Sequence, residues 1–349
     1  MDQPPPSDPW LFGVLAVVSI ASFATWFALA ERRKHGPILS YEPRRPVPWS
    51  GFWAVVPLIF IALALLSTFV LKDDAADSAN PPSVDDSLTQ LALVSVQQVV
   101  LVGAFLVAAV ASTRATRVDL GWPVDAAGLA SDVRIGAIAW LAALVPVYGA
   151  QILMVSMMGE PKGHPLLKML EKEADPTLFL AAFFVAVVVA PICEELTFRL
   201  LLQGWLEKWE DARLGWRGES RPTPSISDDA VSIEAGQSRN DETRMTNDEY
   251  TVSDHSSFDI RHSSFSDAQP PRLGLLGLPY GWLPILVSAL LFAAVHVGYG
   301  PDPVPLFLLA LILGYCYQRT HRIVPSIVTH ALFNALSLFA LWRVMSADR

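Results

Sequence analysis

Apolar runs of about twenty residues recur along this chain, and they constrain its fold more than any other feature. A helix rises about 1.5 Å per residue, so roughly 20 apolar residues cross a hydrocarbon core of about 30 Å. Eight candidate spans fit: Trp10–Ala30, Phe52–Leu71, Leu91–Ala111, Ile135–Met158, Thr177–Leu206, Trp282–Val297, Val304–Tyr317 and Ile323–Trp342. Backbone polar groups in lipid must be satisfied within the structure, which helices do segment by segment. The expected fold is therefore all-α, a polytopic transmembrane bundle of about eight spans.

Composition agrees. Only 17% of residues are charged, against about 25% in ordinary soluble domains. The formal net charge of −9 does not describe a binding face, because much of the acid lies in Lys72–Ser87 and Asp228–Asp267. A nucleic-acid partner is not expected. Cys193 and Cys316 both fall in apolar runs with no paired spacing, which reads as small core residues rather than a disulfide or a zinc knuckle.

Lys and Arg in short loops set the orientation. Arg32, Arg33, Lys34, Arg44 and Arg45 follow the first span. Arg114, Arg117 and Arg134 follow the third, and Arg319 and Arg322 follow the seventh. These outnumber the basic residues of the opposite loops, so the rule predicts cytoplasmic basic loops and an external N-terminus, in the cytoplasmic membrane.

Four regions follow: a four-span part over 1–158, an interfacial segment and a further span over 159–206, a polar insertion over 207–272, and the remaining spans over 273–349. Leu166, Leu167, Met169 and Leu170 alternate with charges, as in a short interfacial helix. The insertion is rich in Ser, Asp, Asn and Thr, and repeats His-Ser-Ser-Phe at His255 and His262. Its registers are polar, so it reads as a disordered cytoplasmic loop rather than a coiled coil. A floppy pair of imidazoles is a poor preformed metal site.

The chemistry stands out against this background. Only Glu194, Glu195 and Arg199 in the fifth span, His296 in the sixth and His330 in the eighth interrupt the apolar stretches with ionisable groups. An ionisable group there costs roughly 2.5–3.5 kcal/mol even on the permissive insertion scale, and normally persists for function. Residues four apart share a helix face. Glu195 thus pairs with Arg199, while Glu194, rotated about 100°, is left for proton chemistry. His330 shares a face with Asn334, and Phe292 lies one turn before His296, where it can wall a site. At helical rise, Glu194 lies about 18 Å from Leu206, His296 about 21 Å from Trp282, and His330 with Asn334 about 10–17 Å past Ile323. The three sets can meet inside the membrane, toward the cytoplasm. His321, in a loop, reads as solvent-facing.

Taken in order, Glu194-Glu195-x-x-x-Arg199, Phe292-x-x-x-His296 and His330-x-x-x-Asn334 resemble the three motifs of the CAAX protease and bacteriocin-processing (CPBP, or Abi) intramembrane proteases, which include the type II CAAX prenyl endopeptidases. The resemblance covers 177–342, interrupted by the insertion. It implies an endopeptidase acting on peptides or proteins in or at the bilayer, including lipidated ones. Glu194 and His296 would activate water, His330 and Asn334 would stabilise the oxyanion, and Glu195, Arg199 and Phe292 would support them. Cofactor use stays open between none and zinc, for which Glu194, His296 and His330 would be the ligands. A non-catalytic immunity or scaffold protein is the alternative reading. A proton-coupled transporter is a weaker one, since no inverted-repeat halves are visible.

Overall fold

In a computed structural model, residues 9–71, 83–158, 170, 175–216, 270–297 and 303–347 are described. The described residues form eight helices and no strand: α1 Pro9–His35, α2 Gly51–Leu71, α3 Val84–Thr113, α4 Ala126–Met158, α5 Pro176–Leu214, α6 Trp282–Ala294, α7 Pro303–Thr320 and α8 Val324–Ala347. Five of these, α1, α3, α4, α5 and α8, are long and apolar enough to cross a membrane. The helix α6 has only 13 residues. The expected interfacial helix before α5 and the bulk of the insertion, 217–269, lie outside the described residues. One boundary changes: α5 runs on to Leu214, so residues 207–214 are helix rather than insertion.

The termini of these helices follow local chemistry. Asp175 caps α5, its carboxylate accepting from the backbone N–H groups of Thr177 and Leu178 at 2.8 and 3.0 Å. Pro176 occupies the first turn, where its missing N–H costs nothing. Gly215 ends α5 at φ +65°, the left-handed conformation that glycine adopts most readily. Ser83 and Asp86 form a reciprocal capping box at the start of α3.

The core is a set of interlocked clusters. Ala143, Leu144 and Val147 of α4 pack with Leu309 and Leu313 of α7 and with Phe333 and Leu336 of α8. Small residues let these helices approach closely. The backbone of Gly136 in α4 sits directly against Val328 and Pro325 of α8, and its carbonyl accepts from Thr329 Oγ1 at 2.9 Å. A second cluster joins Ala54 of α2, Phe198 and Leu202 of α5, Ala289 and Phe292 of α6, and Ala310 of α7.

The helix α5 is not a regular α-helix. Hydrogen bonding widens to the π pattern over Val185–Val189 and again over Leu196–Gln203, leaving one α-helical stretch, Ala190–Glu195, between them. Pro191 explains the first widening. A proline ring inside a helix clashes with the carbonyl four residues back and offers no N–H, and an enlarged turn relieves both. Such bulges concentrate at functional sites. Here they flank Glu194 and Glu195.

The basic loops after α1, α3 and α7 gather at one end of the bundle. Glu42 N–H donates to Arg319 O, Arg45 pairs with Asp119, and Ile323 N–H donates to Gly121 O. The segment 36–50 is drawn down there, with Trp49 fully buried and its indole N–H donating to Leu201 O in the second π segment at 3.1 Å.

At this end His321 departs from the sequence expectation. It is 7% exposed, with Nδ1 2.7 Å from Glu42 O and Nε2 3.3 Å from Glu207 Oε2. Arg44 also reaches Glu207, at 2.7 Å, and its other guanidinium nitrogen donates to the Tyr317 hydroxyl at 2.9 Å. A loop position did not mean solvent, because Glu207 on α5 and the 36–50 segment close over it.

Candidate active site

Glu195 and Arg199 are fully buried on α5, with Arg199 Nε 3.2 Å from Glu195 Oε2. Arg199 is also tied to α6, donating from Nη1 to Ser288 Oγ at 2.9 Å and lying with its Cζ 5.2 Å from the centre of the Phe292 ring. Ser288 in turn donates to Phe198 O at 2.9 Å. One guanidinium therefore holds two helices together.

From the other side of Glu195, Oε1 meets His330 Nδ1 of α8 at 3.0 Å. An ionised carboxylate only accepts, so Nδ1 carries the hydrogen and Nε2 is turned away from Glu195. His330 Nε2 faces Glu194, with Glu194 Oε2 3.7 Å away. That interval exceeds a direct hydrogen bond and matches groups that share an intervening water. Glu194 is the most open of the set, its side chain 22% exposed against 4% for His330. The two adjacent carboxylates thus meet one imidazole, Glu195 at Nδ1 and Glu194 facing Nε2.

His296 lies in a turn two residues past Ala294, the last residue of α6. Its Nδ1 is 2.8 Å from Phe292 O, an acceptor, so Nδ1 donates and a neutral His296 presents a bare Nε2. Phe292 packs against both histidines, with its ring centre 5.0 Å from that of His296 and 5.7 Å from that of His330. The arrangement groups Glu194, Glu195, Arg199 and His330 by direct proximity, and His296 is joined to them through its contacts with Phe292.

Asn334 is engaged elsewhere than at the carboxylates. Its Nδ2 donates to Ala186 O, in the first π segment, at 2.7 Å. An amide nitrogen has two hydrogens, so one donor remains.

The zinc reading requires Glu194, His296 and His330 to converge. Among the described residues, no three His, Cys, Asp or Glu side chains form a group able to hold a metal ion. Those three residues as arranged do not fit zinc, and no step below is routed through it. Cys193 and Cys316 are both free and buried.

Two supporting features escaped the sequence reading. Ser288 continues the four-residue stride of Phe292 and His296 back along α6, and that stride was the available signal. Gln203 and Glu207 extend the stride of Glu195 and Arg199 along α5, and Gln203 Nε2 donates to both Glu207 Oε1 at 3.0 Å and Gly314 O at 2.9 Å.

Residues 176–220 and 270–336 match the model of a family described as type II CAAX prenyl endopeptidase Rce1-like. The two matched stretches carry all seven residues named above from the three motifs, and they flank the insertion. No curated protein and no solved structure matches the chain.

Proposed function

We propose that this chain is an intramembrane peptidase of the kind whose family model it matches over residues 176–220 and 270–336, and that Glu194 activates water for peptide-bond hydrolysis inside the helix bundle. The observation that carries this reading is the 3.7 Å interval between Glu194 Oε2 and His330 Nε2, at a place lined by apolar helices. The carboxylate there is partly open, and the imidazole is fixed from behind by Glu195.

In this reading the water oxygen attacks the scissile carbonyl carbon while one of its protons passes to Glu194. The bare Nε2 of His296 accepts from the water's second hydrogen. As the carbon–oxygen bond forms, the carbonyl electron pair moves onto oxygen. His330, protonated at Nε2 and balanced by Glu195 at Nδ1, donates to that oxyanion, together with the remaining N–H of Asn334. Collapse of the intermediate breaks the carbon–nitrogen bond, and Glu194 returns its proton to the leaving nitrogen. Proton transfer by a placed base contributes about 10²–10⁴-fold, and a placed oxyanion donor about 10²–10³-fold.

Arg199 has a different task. Two carboxylates side by side in a poorly solvated place repel. A buried guanidinium 3.2 Å from Glu195 offsets the charge of that carboxylate and leaves Glu194 for chemistry.

The proposed substrate is a peptide in or at the bilayer, carrying a lipid or an apolar segment that partitions it to the buried site. The proposed setting is the cytoplasmic membrane, with the site toward the end where the basic loops gather. The test uses the full chain in nanodiscs with a fluorogenic farnesylated peptide and with an unmodified control peptide. Cleavage is expected for the wild type and is expected to disappear in Glu194→Ala, with membrane insertion and helix content retained. A folded wild type that cleaves neither peptide favours the scaffold alternative.

A further inference from the structure

We propose that Pro191 is a positioning residue for Asn334, acting through the backbone carbonyl of Ala186. This deepens the proposed peptidase reading, in that Asn334 is one of its oxyanion donors.

In the first π segment the N–H of Ala190 donates to Val185 O, five residues back. In an α-helix that same N–H would have served Ala186 O, four residues back. With Ala190 diverted, the next donor in the π register for Ala186 O is the residue at 191. That residue is proline, which has no N–H. The carbonyl of Ala186 is therefore left without a main-chain donor by two coupled features, the widened turn and the proline that follows it. A half-buried carbonyl in that state is costly, and such groups are usually satisfied by another donor.

Asn334 supplies it. Its Nδ2 lies 2.7 Å from Ala186 O. Because a carbonyl accepts only, this contact also decides which way the carboxamide points: nitrogen toward α5 and oxygen away. The pairing joins α8 to α5 at a point about two helical turns before Glu194 on one element and about one turn from His330 on the other. The missing N–H of Pro191 thus fixes the side-chain amide that His330 accompanies along α8. Pro191 is usually read in a helix as a kink; here its consequence is a free acceptor placed for a particular partner.

A restored N–H at position 191 would compete with Asn334 for the same oxygen. Two variants and their combination separate this account from a general role in packing. Pro191→Ala in the wild-type background is expected to release the carboxamide and lower kcat by about ten- to a hundredfold, the scale of losses from small misplacements near a reacting centre, with KM little changed. Asn334→Ala leaves Ala186 O without a donor and is expected to lower the melting temperature. Adding Pro191→Ala to Asn334→Ala supplies the missing donor from the main chain, so the double variant is expected to melt higher than Asn334→Ala alone while remaining inactive.

The melting measurements use full-length protein in nanodiscs and need no substrate, so they decide this proposal even if the peptidase reading fails. Rescue of Asn334→Ala by Pro191→Ala supports it. Pro191→Ala lowering the melting temperature equally in both backgrounds overturns it, as does a wild-type kcat and KM unaffected by Pro191→Ala in an active enzyme.

Discussion

His330 Nδ1 lies 3.0 Å from Glu195 Oε1, and the other oxygen of the same carboxylate lies 3.2 Å from Arg199 Nε. Glu195 therefore answers to two helices at once, through an imidazole on α8 and a guanidinium on its own helix that also reaches α6. Its burial is complete, so neither partner can turn to solvent when it is changed.

Glu195→Gln keeps the shape and removes the charge. Breaking a buried ion pair by removing one partner costs about 3–5 kcal/mol, because the other charge stays buried. The variant is expected to melt well below the wild type. Glu195→Gln combined with Arg199→Met removes both charges and is expected to recover much of that loss without recovering cleavage. Thermal melts in nanodiscs with a parallel cleavage assay check both halves.

Asp119 ties the basic loops together and gives a pH signature outside the spans. Burial alone would raise its pKa, but the Arg45 fork at 2.7 and 2.6 Å and the Thr116 donors outweigh that and hold the carboxyl below its ordinary value. A carboxyl depressed in the folded state binds its proton more readily when unfolded. Its stabilisation is therefore fully present above about pH 4, the unfolded value, and is lost as pH falls through the lower folded value. Asp119→Asn is expected to lower the melting temperature at neutral pH and to converge with the wild type below that window. A difference that stays constant from neutral to acid pH counts against the assignment.

Gly136→Ala tests the contact of α4 with α8. An added Cβ would stand 2.7 Å from Val328 Cβ and 2.8 Å from Pro325 O, and the second neighbour is backbone that cannot swing aside. Overpacking of this kind costs about 1–3 kcal/mol. The loss is read as a lower melting temperature, and Val328→Ala in the same chain is expected to relieve only part of it, since the carbonyl contact remains.

Much of the site was legible because charge in an apolar run has so few explanations. Glu194, Glu195, Arg199 and His330 could be picked out, and the Glu195–Arg199 pair placed, by helical spacing alone. His296 was set inside a helix that ends two residues before it, because an apolar run does not mark where the last hydrogen-bonded turn ends. The π segments were not legible. They depend on Pro191 together with donors from distant chain, Asn334 for Ala186 O, and Trp49 and Ser288 for the carbonyls of Leu201 and Phe198. His321 was misplaced for a similar reason: its partners Glu42 and Glu207 stand 279 residues away on one side and on a helix assigned to another region on the other. Local pattern reports which residues are unusual; only the fold reports what they touch.

The central claim is that Glu194 and His330 act on one reacting centre as a unit. Measuring kcat/KM for Glu194→Gln, His330→Gln and the double variant, in nanodiscs with folding verified, tests it most directly. Residues that act together lose grossly non-additive amounts, so the double variant is predicted to be no slower than the worse single variant. Losses that simply multiply, or a Glu194→Gln enzyme that retains wild-type turnover, would contradict the account.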